Sequence, residues 1–170
     1  MEKETAFIND LLLSMQLYQC ENDIKGCCIQ NCQYFYDMVR FNCSSIQIKP
    51  KAVIVVYQTT IDSEEGVAFH IHMVLEDQDG VILDPSYEIH SLQSKMYFTS
   101  VKDFTDFYKK KREQTPSHVA TLKTTVSQYL KFLEFEKSIL DPRASVQSNE
   151  EIYNAQAAYV RALLKTRNKP

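Results

Sequence analysis

Cys28, His72 and Asp84 are the three residue types that thiol-based acyl transfer uses, and they occur in the order nucleophile, base, orienting acid. A thiol becomes a working nucleophile when three things are supplied: a lowered pKa, a base within hydrogen-bond reach, and a group that orients the base. A helix N-terminus supplies part of the first through its free N–H groups and dipole. Cys28 stands two residues after Gly26, where a helix is predicted to begin, and the adjacent Cys27 is the alternate nucleophile. His72 lies on a predicted strand and can act as the base; His70 shares its face and is the alternate. Asp84 ends the next predicted strand, where it can hold an imidazole tautomer. Asp84-Pro85-Ser86 is equally a natural turn in which the aspartate bonds its own backbone. Donors for an oxyanion are sought in the N–H of Cys28 and in the upstream side chains of Gln19 and Gln16.

The elements that must carry these groups follow from hydrophobic spacing. Residues 5–18 read as an amphipathic helix through Phe7, Ile8, Leu11, Leu12, Met15 and Tyr18. A second helix runs from Cys27 or Cys28 to about Phe41, with Cys28, Cys32, Phe35, Met38 and Val39 at intervals of three and four. Residues 52–57 are short and β-branched and predict a buried strand. Residues 67–76 predict another, with His70, His72, Val74 and Glu76 on one face and Phe69, Ile71, Met73 and Leu75 on the other. Asp79-Gly80 is a hairpin turn signal, and Val81-Ile82-Leu83 returns as a third strand.

The rest reads as helix. Ser100 and Asp103 resemble a capping box, and Thr115-Pro116 fits an N-cap followed by proline at the first helical position. That helix would bury Leu122, Val126, Tyr129, Leu130 and Leu133, and Asp141-Pro142-Arg143 would break it. A last helix, capped by Ser148 and Glu151, would present Ile152, Ala155, Tyr159 and Leu163 as a stripe.

Composition bounds the function classes. The 170 residues are 44% hydrophobic and 24% charged with net charge −3, which suits a globular chain with a sizeable core. No apolar run is long enough to span a membrane and the acidic start, Met1-Glu2-Lys3-Glu4, lacks a signal-peptide pattern, so a cytoplasmic setting is expected. Five cysteines, at 20, 27, 28, 32 and 43, contain no Cys-x-x-Cys pair, which argues against a zinc ribbon and for free thiols in a reducing compartment. With three glycines the chain has no Gly-rich phosphate loop. Residues 101–170 carry 13 basic against 8 acidic residues, +5, while residues 1–100 carry 6 against 14, −8. Lys109-Lys110-Lys111-Arg112 reads as a solvated helix end, and without interleaved aromatics nucleic acid is not the expected partner.

Three pieces together carry a family resemblance. Gly26-Cys27-Cys28-Ile29-Gln30-Asn31-Cys32 resembles the Gly-x-Cys-x-x-x-small helix start of the transglutaminase-like and papain-like cysteine protease superfamily. Ile48 through Val55 is similar to that family's Ile-Pro-Ala-Arg-Val-Val strand start with one residue inserted. His72 to Glu76, then Gly80 to Pro85, is similar to its histidine strand, turn and Asp-Pro strand end. The resemblance covers about residues 20–88, and it departs from the pattern at Val74, where the family usually has an aromatic. It implies an α+β fold with a cysteine-bearing helix on a small antiparallel sheet in residues 1–100, and a helical extension in 101–170 packed on that core. It further implies thiol-dependent transfer or hydrolysis of a peptide or isopeptide bond by Cys28, His72 and Asp84, on a protein or peptide substrate, with neither metal nor cofactor. Members that have lost activity imply the alternative of a protein-binding module on the same fold.

Overall fold

The computed structural model describes residues 2–61, 64–114, 122–140 and 150–167. Among the described residues, six helices and four strands follow the order α1 (Glu2–Glu21), α2 (Cys28–Asn42), β1 (Ile48–Ile61), β2 (Glu64–Asp77), β3 (Ile82–Leu83), α3 (Tyr87–His90), β4 (Met96–Phe98), α4 (Val101–Gln114), α5 (Leu122–Leu140) and α6 (Glu150–Arg167). The α+β class expected from the sequence is the observed one. The sheet has the order β3-β2-β1-β4, antiparallel at β1–β4, where Ile54 faces Phe98, and at β2–β3, where Leu75 faces Leu83. β4 covers only residues 54–56 of β1, so Pro50, which has no N–H to donate, lies outside that ladder. No described helix is long and apolar enough to cross a membrane.

The chain groups into two compact units. The first comprises residues 1–50, 74–91 and 138–170. In it α1 packs on α2, α3 and α6, and α2 also meets α6, around Leu11, Met15, Cys32, Phe35 and Val160. The second comprises residues 51–73 and 92–137. Its centre is aromatic: Phe104 of α4 is fully buried, with ring centroids 5.2 Å from Phe69, 5.9 Å from Phe98 and 6.1 Å from Tyr108. Ser100 Oγ accepts the Asp103 N–H at 3.4 Å, the start of α4 that the capping pattern predicts.

Two expected faces are corrected. Leu130 is exposed on α5, whose buried positions include Tyr129 and Ile139. On α6, Ala155 is exposed, Tyr159 half-buried, and the buried positions are Gln156, Ala157 and Val160. The stripe is thus turned by one residue, about 100° around the helix axis. Gln156 lies on that inner face, where hydrogen bonds to Gln19 and Asn31 satisfy its amide. The caps expected at Thr115-Pro116 and Ser148, and the break at Asp141-Pro142-Arg143, lie outside the described residues, as does the Ile152 side chain.

The Asp77–Gly80 turn is locally over-determined. Asp77 Oδ1 accepts the N–H groups of Asp79 at 2.9 Å and Val81 at 2.8 Å, and the Asp77 carbonyl accepts Gly80 N–H at 3.1 Å. Gly80 has φ +80°, and a Cβ there would meet only Glu76 Oε1 at 3.9 Å. Space is therefore not the constraint; the left-handed backbone is. Gly80→Ala is expected to cost about 1–2 kcal/mol in urea unfolding, and Gly80→Asn less, since asparagine visits this region readily.

Candidate functional site

The first unit holds Cys28, Asp84 and the turn that follows. Gly26 (φ +71°) takes a left-handed conformation that brings the chain into α2, and its N–H donates to both carboxylate oxygens of Glu88 at 3.1 Å. Cys27 occupies the N-cap of α2 without a side-chain cap bond, and its Sγ donates instead to the Lys25 carbonyl at 3.4 Å. Cys28 is the first helical residue, buried, with a main-chain N–H that has no acceptor inside the helix. Burial, the Glu88 carboxylate and Cys28 all push the Cys27 thiol up. A thiol held protonated in this way, by burial first and by the carboxylate second, is a poor thiolate source, which counts against Cys27 as the nucleophile. The Cys32 thiol is pushed well above its ordinary value by burial, with further contributions from Cys28 and Asp84. Cys28 and Asp84 therefore act on one buried sulfur. None of the five cysteines is in a disulfide; Cys20 is exposed and the other four are buried.

Asp84 adopts the turn conformation that Asp-Pro-Ser favours: its Oδ1 accepts the Ser86 N–H at 3.0 Å. Two glutamines of α1 pin the same segment. Gln16 Nε2 donates to the Asp84 carbonyl at 3.1 Å. Gln19, 1% exposed, donates through Nε2 to the Pro85 carbonyl and to Gln156 Oε1, both at 2.9 Å, and accepts Tyr87 N–H at 2.9 Å. A glutamine amide has two N–H donors, so both of Gln19's are engaged. Donation to an oxyanion would require releasing one of them. The main-chain N–H of Cys28 carries no such commitment within its helix.

Three residues joined to this turn were not singled out from the sequence: Asn31, Ser86 and Gln156. Asn31 Nδ2 donates to Ser86 Oγ at 3.2 Å, and Gln156 Nε2 donates to Asn31 Oδ1 at 3.3 Å. All three are buried. The available signal was a polar residue at core-facing helical spacing: Asn31 beside Cys28 and Cys32 on α2, and Gln156 four before Val160 on α6.

His70 and His72 belong to the second unit. Their rings meet edge to face at 5.9 Å, and Tyr57 lies 5.8 Å from His70. His72 is 1% exposed, so it is no surface histidine, whereas His70 is half-buried. Along the chain His72 stands two residues before Val74, where the first unit resumes. Among the described residues no group of three or more His, Cys, Asp or Glu side chains is placed to hold a metal ion. Compared with protein-family models, curated proteins and solved structures, the chain matches none of them.

Proposed function

We propose that this chain is a papain/transglutaminase-like thiol enzyme that cleaves or transfers the acyl group of a peptide or isopeptide amide. The observation that supports it best is the buried Cys28 at the first position of α2, sharing its surroundings with the Asp84 turn. In the proposed reaction the Cys28 thiol gives its proton to His72, and the sulfur attacks the amide carbonyl. The Cys28 N–H faces the developing oxyanion. His72 then protonates the leaving amine as the C–N bond breaks. Water, giving a proton to His72, attacks the thioester; that proton returns to sulfur as the acid leaves. An amine in place of water makes the same cycle a transfer. Asp84 orients His72. Neither metal nor cofactor takes part, and the free thiols suit a reducing, cytoplasmic setting.

Iodoacetamide labelling followed by peptide mapping tests this reading. Cys28 should label at pH 7 about tenfold faster than Cys32 and Cys43, whose thiols burial pushes up. His72→Ala should remove that advantage, while His70→Ala should leave most of it. Equal rates at all four buried cysteines would defeat the proposal and favour a binding module on the same fold.

A further inference from the structure

Gln156 is the one polar side chain of α6 among the described buried residues. Burying an amide is costly unless its hydrogen bonds are made, and α6 would dock on α1 and α2 with an apolar residue there. What the glutamine adds is direction. Gln19 Nε2 donates to Gln156 Oε1 at 2.9 Å, Gln156 Nε2 donates to Asn31 Oδ1 at 3.3 Å, and Asn31 Nδ2 donates to Ser86 Oγ at 3.2 Å. The Ser86 N–H then donates to Asp84 Oδ1 at 3.0 Å. Asn31 lies three residues after Cys28, on the first turn of α2. Asn31 thus joins the turn that starts at Cys28 to the turn that starts at Asp84, and Gln156 of α6, itself held by Gln19, fixes which way the Asn31 amide faces.

We propose that Gln156 is a positioning residue: through Asn31 and Ser86 it sets the placement of Cys28 relative to Asp84. The inference rests on the reading of Cys28 as the nucleophile. α6 is then a working part of the site and not only an outer layer of the first unit. A hydrogen-bonded chain of this kind fixes geometry more narrowly than apolar packing, because each amide has one acceptor oxygen to aim.

The test compares Gln156→Met, which keeps the shape and deletes the hydrogen bonds, with Val160→Ala, which loosens the same buried face and leaves them in place. Two readouts are taken on the full chain: hydrogen exchange of the Ser86 amide, and the pH profile of Cys28 alkylation. Gln156→Met should speed Ser86 exchange about tenfold and move the alkylation profile to higher pH. Val160→Ala should lower the melting temperature and leave both readouts near wild type. Unchanged Ser86 exchange in Gln156→Met would overturn the proposal, as would equal displacement of both readouts by Val160→Ala. If Cys28 in the wild type labels no faster than Cys43, the catalytic reading is lost. Ser86 exchange in Gln156→Met still decides whether Gln156 holds the Asp84 turn.

Discussion

Gln19→Leu is expected to lower the unfolding free energy by about 3 kcal/mol or more, since it orphans three partners at about 1–3 kcal/mol each. The partners are the Pro85 carbonyl, Gln156 Oε1 and the Tyr87 N–H. They come from two stretches of chain that α1 gathers, so a single truncation loosens both. Leucine is close in volume, which keeps the cavity contribution small and isolates the polar loss. Gln16→Leu removes one half-buried bond, to the Asp84 carbonyl, and should cost about 1 kcal/mol. Urea unfolding of the pair measures the difference. A loss near 1 kcal/mol for Gln19→Leu as well would mean that water replaces the glutamine, and that the network is not closed to solvent.

Phe104→Ala should have a comparable effect in the second unit, about 3–5 kcal/mol for emptying a filled aromatic site. The ring touches Phe69, Phe98 and Tyr108, and such edge contacts add about 0.5–1.5 kcal/mol each beyond area burial. Phe107→Ala is the comparison: it meets Phe98 at 5.1 Å on the same helix without being in the buried core, and it should cost far less. The two variants are separated by their urea midpoints at constant slope. Equal midpoints would show that the cluster closes over the Phe104 cavity.

What could be read ahead of the structure was whatever repeats. The spacing of α1 and α2 and the β-branched run of β1 located those elements, although both strands extend beyond the expected 52–57 and 67–76. Their polar ends carry no hydrophobic signal and join the strands through main-chain bonds. α3 and β4 have four and three residues, too few for a period to show. In β2, Ile71 to Leu75 are buried on both faces, so alternation gives direction there but not exposure. At the site, Cys28 was legible as a helix start and Asp84 as a turn. Gln156 and Asn31 were not, because a polar side chain on a helix normally signals the solvent face; only the fold reveals that these have one another as partners. Glu88 was hidden for a similar reason: its effect on Gly26 and Cys27 depends on a fold-back across 62 residues.

Residues 19 and 156 meet across 137 positions, and that separation sets a clock. At about 5–20 residues per second of synthesis, α1 waits roughly 7–27 s for the residue that completes its buried amide network. Gln16 and two of the bonds of Gln19 can close once residues 84–87 are made, but until α6 arrives the Gln19–Gln156 bond and the α6-facing side of α1 stay open to water and to whatever binds nascent chains. The cysteines that α2 carries emerge early and remain without α6 for the same period. Completion of the thiol surroundings therefore waits for α6, and the interval is one in which chaperones and cellular reductants have open access.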